Sequence, residues 1–207
     1  MSPPKGKEGI LMENSMNNEK QNKPDRSTAH RLLLDSIYVA LFAAVITVCS
    51  QIQIPLGPVP FTLQTLGIFT AAGLLGTKRG TLSTVIYVLL GAVGVPVFAG
   101  FSGGIGILTG ATGGYIIGFI FTALATGLMS DIFGKKLWSL AVGMVAGLLI
   151  CYIFGTTWFI IVSNSSGNTM DIMTALGYCV FPFLIPDAVK IVAAVVLVNR
   201  LGKILKI

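Results

Sequence analysis

The sequence predicts an all-α polytopic membrane protein, folded as a bundle of six transmembrane helices. Three observations lead to this fold class: 54% of the 207 residues are hydrophobic, only 11% are charged, and the mean hydropathy is +0.84. A soluble domain carries about 25% charged residues. The composition therefore excludes a soluble globular domain and a disordered chain. The net charge of +6 is assigned to membrane topology, and no nucleic-acid partner is expected.

Six apolar runs are each taken as one membrane span, because a helix needs roughly 20 apolar residues to cross a bilayer. The runs are Leu32–Ile54, Phe61–Gly76, Thr81–Phe98, Gly114–Met129, Leu137–Val162 and Ile172–Val198. The second run is short, and the last contains Pro182 and Pro186. Residues 1–30 are polar and are predicted to form a flexible tail, so residues 31–207 make up one transmembrane domain.

The basic residues predict the orientation of these spans. Apart from Lys190, every Lys and Arg falls into one of four groups: residues 5–31, Lys78 with Arg79, Lys135 with Lys136, and residues 200–206. The connections that alternate with these groups contain no Lys or Arg: 55–60, 99–113 and 163–171. Cytoplasmic loops carry an excess of Lys and Arg. Both termini are therefore predicted to be cytoplasmic, in a multi-pass protein of the cell membrane.

Small residues mark two kinds of close contact. Eight of the 25 glycines lie between Gly100 and Gly118, and six of these eight belong to the long apolar connection 99–113. Because lipid leaves backbone groups unpaired, this segment must pack against protein or line a cavity, and we expect a lid or pocket wall. A plain flexible outer loop is the alternative. Pairs spaced by four allow helices to approach closely: Gly76 and Gly80, Gly114 and Gly118, Gly143 and Gly147, Ala40 and Ala44.

Asp187 and Lys190 are the two charges at membrane depth, inside the last apolar run. Three residues apart, they share one helix face and neutralise each other in part. Pro182 and Pro186 interrupt the helix just before them. An ionisable pair beside a helix break inside a membrane indicates a functional site. The alternative is a structural ion pair that locks the bundle, although such pairs stabilise poorly compared with apolar packing.

Other chemistry finds little support in the residues. The single histidine, His30, lies in the polar tail, so a His-based metal site or catalytic triad is excluded. The three cysteines lie in apolar runs and are expected to be core residues. No phosphate-binding loop of the Gly-x4-Gly-Lys-Ser/Thr type occurs in the chain. We therefore expect no catalytic residue, no metal and no cofactor.

Four motifs occur in order along the chain. They are Val59-Pro-Phe-Thr-Leu-Gln-Thr-Leu-Gly67, Tyr87-x3-Gly91-Ala-x-Gly94-x-Pro96-x-Phe98, Gly110-Ala-Thr-Gly-Gly-Tyr115 and Ile185-Pro-Asp-x2-Lys190. In these motifs the chain resembles the BioY family, the biotin-specific S components of energy-coupling factor (ECF) transporters. The third motif has Ala111 where the family pattern has proline, which predicts a less rigid loop.

The resemblance implies a function and a set of partners. It implies a six-helix substrate-binding subunit that captures biotin from outside and sits in membrane lipid. It further implies a partner module of one transmembrane coupling protein and two ATPase subunits, with Ala40 and Ala44 resembling the small-residue contact with the coupling protein.

The resemblance and the residue chemistry together suggest roles in a biotin site. Asp187 is expected to accept a hydrogen bond from a ureido N–H of biotin, and Lys190 to donate to the ureido carbonyl. Gln64 is expected to add an amide contact. The remaining candidates cover the apolar ring surface or offer backbone N–H groups to a polar end of the ligand: Tyr115, Phe61 and Tyr87, and Gly113 and Gly114.

Three other functions stay open at this point. The first is an S component for a different vitamin, such as thiamine or riboflavin, although no aromatic-rich pocket is evident in the sequence. A membrane-embedded enzyme using Asp187 as an acid or base belongs to a different class, and lacks a second candidate besides Lys190 at that depth. A self-contained channel fits less well, since pores carry rings of charges or carbonyls from several subunits.

Overall fold

The computed structural model describes residues 26–55, 59–167 and 169–205. The chain divides into two units, the first ending at Ile37 and the second running from Tyr38 to Ile207. The core and the cavity lie in the second unit. The predicted tail lies outside the described residues, except for 26–30, which form the beginning of the first helix.

Helices make up most of the described chain. In chain order the elements are α1 (Arg26–Gln51), β1 (Gln53–Ile54), β2 (Phe61–Thr62), α2 (Gln64–Ala92), α3 (Ile105–Thr109), α4 (Gly113–Phe133), α5 (Leu137–Ser165), α6 (Ile172–Cys179), a 3₁₀ turn (Phe181–Phe183) and α7 (Leu184–Leu205). The two short strands form an antiparallel pair across the first connection. The all-α class is confirmed.

Four stretches of the described residues are long and apolar enough to cross a membrane. They are Thr28–Gln51, Gly113–Phe133, Leu137–Ser165 and Ile172–Ile204. The last of them contains α6, the 3₁₀ turn and α7. The chain is thus a multi-pass membrane protein, and the four stretches correspond to the first, fourth, fifth and sixth predicted spans.

The second and third predicted spans form the two legs of α2, residues 64–75 and 77–92. The chain reverses between them at Gly76, whose φ of 77° favours glycine. A Cβ on Gly80 would lie 2.5 Å from the Cα of Ala72. In a straight helix these residues would be about 12 Å apart, so the legs fold back on each other. At 1.5 Å per residue the legs measure about 18 and 24 Å, short for a bilayer core of about 30 Å.

Asp131, near the end of α4, holds the reversal of α2 in place. Its carboxylate accepts a hydrogen bond from the backbone N–H of Thr77 at 2.9 Å. A Cβ on Gly76 would lie 2.3 Å from Asp131 Oδ1, so a larger residue would displace this carboxylate. The turn therefore depends on glycine twice, for its backbone conformation and for the space that Asp131 occupies.

The helices α4 and α5 pack through the glycine pairs that the sequence singled out. A Cβ on Gly118 would lie 3.1 Å from Cys151 Sγ, and one on Gly147 would lie 2.9 Å from the carbonyl oxygen of Thr122. The hydroxyl of Thr122 in turn donates to the carbonyl of Gly147 at 3.0 Å. The predicted close contact at these pairs is confirmed, and it combines small residues with an interhelical hydrogen bond.

The helix ends differ from the predicted spans where turn residues intervene. The first helix ends at Gln51 rather than Ile54, because the next residues enter the strand pair. The second leg of α2 ends at Ala92 rather than Phe98. Gly94 adopts a φ of 102°, and Pro96 disfavours helical backbone in the residue before it. The glycine-rich connection contains one short helix, α3.

We expect Gly147→Ala to destabilise the protein, because the added methyl group meets the Thr122 backbone, which cannot move aside without shifting α4. Overpacking of this kind costs about 1–3 kcal/mol. The melting temperature in detergent measures the effect. The control is Gly177→Ala in α6, where a Cβ has no atom within 4 Å. Equal melting temperatures for the two variants would contradict the close α4–α5 contact.

Candidate binding site

The site is built around the break between α6 and α7. The 3₁₀ turn at Phe181–Phe183 contains Pro182, and Pro186 occupies the first turn of α7. Proline is tolerated there because the first N–H groups of a helix have no intrahelical partner. Asp187 also belongs to this first turn, where the helix dipole stabilises a negative charge. It therefore lies directly after the break in the helix, where the sequence predicted the pair.

Asp187 and Lys190 form the predicted ion pair. They are 3% and 5% exposed, and Lys190 Nζ lies 2.7 Å from Asp187 Oδ1. The other carboxylate oxygen, Oδ2, accepts a hydrogen bond from the hydroxyl of Tyr152 at 2.5 Å. Lys190 also donates to Thr65 Oγ1 at 3.2 Å, and its Nζ lies 4.1 Å from the centre of the Phe61 ring. Each buried charge is thus compensated by a partner and by hydrogen bonds, as burial requires.

A cavity of about 190 Å³ opens beside this pair. That volume is more than ten times the roughly 10–15 Å³ that a single water needs. Its polar lining includes Gln64, Thr65, Tyr115, Tyr152, Asp187 and Lys190. Its apolar lining includes Phe98, Ile116, Phe119, Leu148 and Phe183. A mainly apolar cavity with a few convergent polar groups is typical of a small-molecule binding site.

The connection between α2 and α4 forms one wall of the cavity, through Phe98, Ala99, Ser102, Ile107 and Thr112. The expectation of a pocket wall is therefore confirmed. The wall is fastened to the end of α1. Ser50 Oγ donates to the carbonyl of Val97 at 2.6 Å, and Gln51 Nε2 donates to that of Phe98 at 3.1 Å. Gln51 Oε1 accepts from the backbone N–H of Phe101 at 2.9 Å.

The aromatic and amide candidates take different positions around the cavity. Tyr115 lines it and shares a hydrogen bond of 2.8 Å with Thr156. Gln64 also lines it, and its amide donates to the hydroxyl of Tyr87. Tyr87 is fully buried behind the lining, with its ring edge-on to Phe98 at a centroid distance of 5.6 Å. Phe61 is not among the lining residues, and lies against the ammonium group of Lys190.

Gly113 and Gly114 do not line the cavity. The structure places them where neighbouring atoms come too close for a side chain. A Cβ on Gly113 would lie 1.7 Å from the carbonyl oxygen of Leu108, and one on Gly114 would lie 2.3 Å from Trp158 Cβ. The N–H of Gly113 already donates to the carbonyl of Gly110 at 3.1 Å. The N–H of Gly113 therefore already has a partner, and both glycines have a role in close packing.

Ala40 and Ala44 are exposed on α1, one turn apart. Their small side chains lie beside the exposed Leu41. Nothing among the described residues covers them, and the larger apolar side chains of Leu41 and Val48 are exposed beside them on the same helix.

Sequence reasoning missed Tyr152, the second hydrogen-bond donor to Asp187. It also missed Thr65 and Thr156, which hold Lys190 and Tyr115. One signal was available. Tyr152 and Thr156 are polar residues four apart in an otherwise apolar run, so they share the helix face that turns away from lipid. The described residues contain no cluster of three or more His, Cys, Asp or Glu side chains able to hold a metal.

Comparison with known proteins gives consistent results. The model of the BioY family matches residues 17–207. The chain is 45% identical to a biotin transporter BioY of Thermotoga maritima, over 81% of this chain and 95% of that protein. It is 42% identical to a probable biotin transporter BioY of Pyrococcus horikoshii, over 79% and 93%.

A solved structure shares the fold. The crystal structure of the S-component for biotin from an ECF-type ABC transporter matches with a TM-score of 0.77 and 30% sequence identity, covering 84% of this chain and 93% of that one. The family model and the relatives extend over most of the chain. The chain belongs to the BioY family.

Proposed function

We propose that this chain is the substrate-capture subunit of an ECF-type transporter and binds biotin from outside for uptake driven by partner ATPases. The observation that carries the proposal is the ion pair of Asp187 and Lys190, buried at membrane depth and lining a cavity. Support comes from relatives named as biotin transporters and from the similarity to an S-component for biotin.

The chemistry of the cavity suits the ureido head of biotin, which has two N–H donors and one carbonyl acceptor. Asp187 accepts from an N–H, and Lys190 donates to the carbonyl, both as charge-assisted hydrogen bonds in a dry site. Tyr115 and Phe98 offer apolar surface to the ring and chain. Gln64 keeps its amide at the lining while its contact with Tyr87 fixes its orientation.

The relatives are named as transporters and the chain has the fold of an S component, so we assign no catalytic role to Asp187. The same comparisons favour biotin over other vitamins. We propose that binding needs no cofactor and no metal.

The proposed topology has six crossings and cytoplasmic termini. The helical hairpin of α2 supplies two of the crossings, and the broken helix α6–α7 supplies the last. The contact of Asp131 with Thr77 brings the α2 turn, which carries Lys78 and Arg79, to the end of α4. Asn199 near the end of α7 approaches the carbonyl of Lys135 at 3.5 Å. The basic segments thus gather at one end of the bundle, which the positive-inside rule assigns to the cytoplasm.

We propose that Ala40 and Ala44 form the contact with the transmembrane coupling protein of a module that also contains two ATPase subunits. Both residues are exposed and small, and small side chains let helices approach closely in a membrane. Tight packing at this face requires that a partner helix lies against the α1 backbone, so large side chains there exclude the partner without touching the cavity.

Biotin binding to the purified chain in detergent, measured by isothermal titration calorimetry without ATP, tests the capture function. We expect saturable binding, and a loss of affinity of at least about tenfold for Lys190→Met or Asp187→Asn, since a charged hydrogen bond is worth about 1.5–3 kcal/mol. Lys203→Met is the control, because Lys203 is exposed near the end of α7. Unchanged affinity in both site variants would exclude this cavity as the biotin site.

We expect Tyr152→Phe to weaken biotin binding by about tenfold, because Asp187 loses one of its two donors and its carboxylate is no longer held toward the cavity. The matched control is Tyr178→Phe, since Tyr178 is 48% exposed on α6. The same titration measures both variants. If Tyr152→Phe binds biotin as tightly as Tyr178→Phe does, Tyr152 does not position Asp187.

We expect Ala40→Trp with Ala44→Trp to prevent co-purification with the coupling protein and ATPases while biotin affinity stays unchanged. The bulky rings would separate α1 from a partner helix. Leu128→Trp, on an exposed position of α4, is the control for adding a ring to the membrane face. Retained co-purification of the double variant would move the partner contact away from this face of α1.

A further inference from the structure

The cavity has no net charge to offer an anionic ligand group. Its charged lining residues among those that the structure describes are Asp187 and Lys190. They neutralise each other at 2.7 Å. The remaining contacts of Lys190 go to the hydroxyl of Thr65 and the ring of Phe61. A carboxylate that approached this ammonium would also approach the carboxylate of Asp187.

Lys190 is the one Lys, Arg or His among the described residues that line the cavity. The stretches 32–77, 80–134 and 137–189 contain no Lys, Arg or His. Apart from Lys190, every lining residue falls within these stretches. In the proposed six-crossing topology, the basic pairs between these stretches lie at the opposite end of the bundle from the strand pair and the wall of the cavity.

The wall of the cavity offers no charged group in place of a second cation. The N–H of Gly113 at the beginning of α4 is used by the carbonyl of Gly110. The hydroxyl of Ser102 donates to the carbonyl of Ala99 at 2.8 Å. The polar groups of this wall are neutral, and a neutral donor serves an amide carbonyl as well as a carboxylate oxygen.

A carboxylate buried without a compensating charge costs several kcal/mol, and the group avoids this cost by staying in water. A hydrated carboxylate contributes little to binding, as exposed ion pairs do. Biotin has its recognition chemistry at one end, the ureido head, and its carboxylate at the other, separated by an apolar chain. When the ureido head binds at Asp187 and Lys190, the carboxylate at the other end of biotin therefore lies away from the charged residues of the cavity.

We propose that this cavity recognises biotin without reading its carboxylate, so that neutral derivatives at that group, the primary amide and the methyl ester, bind as biotin does. The inference deepens the proposed function and rests on it. It identifies the ligand class as biotin and its carboxyl derivatives, selected by the ureido head.

Competition against labelled biotin on the purified full chain tests the inference. The probes are biotin, biotinamide and biotin methyl ester, and biotinamide has nearly the same shape as the acid. We expect both derivatives to compete with affinities within tenfold of biotin. A loss of tenfold or more for biotinamide would overturn the inference, because it would show that the charge of the carboxylate is recognised.

Two further arms separate the possible failures. If biotin itself does not bind, the proposed function fails, whereas binding of biotin with rejection of biotinamide overturns only the present inference. The ratio of the two affinities is also measured in Lys190→Met. We expect a ratio within tenfold in this variant as in the parent chain. A large ratio in the parent that falls to about one in Lys190→Met would show that Lys190 binds the carboxylate, and would overturn the inference.

Discussion

The ion pair between Asp187 and Lys190 is the interaction on which the rest of the site depends. Two charges remain buried in an apolar bundle only because each compensates the other and both find further hydrogen bonds. That requirement explains the hydroxyl groups gathered around them on other helices. It also explains the break before α7, which positions Asp187 in a first helical turn. The polar part of the cavity follows from satisfying these two residues.

Glycine makes the surrounding bundle possible in two distinct ways. At Gly76 it permits a backbone conformation that reverses α2 and leaves room for Asp131. At Gly118 and Gly147 it brings α4 and α5 so close that a threonine hydroxyl on one reaches a carbonyl on the other. The first use sets the topology, and the second sets the distance between the helices that carry Tyr115 and Tyr152.

The sequence predicted features that follow from the cost of placing a polar or charged group in lipid. The buried pair, the pocket wall and the glycine contacts between α4 and α5 are of this kind. It did not predict the role of Tyr152, because a tyrosine in an apolar run is equally compatible with the membrane interface. It misassigned Gly113 and Gly114, since close packing and ligand contact both favour glycine. Their difference lies in tertiary contacts with Leu108 and Trp158, which no local pattern encodes.

Hydrogen bonds at the end of α1 connect this helix to the cavity wall between α2 and α4. Ser50 and Gln51 hold the cavity wall through contacts with Val97, Phe98 and Phe101. Ala44 lies seven residues earlier on the same helix, about 10 Å away along its axis. A tilt of α1 against the neighbouring helices must either move the cavity wall with it or break these hydrogen bonds. Displacement of α1 by a partner helix therefore also displaces the wall of the cavity that contacts a bound ligand.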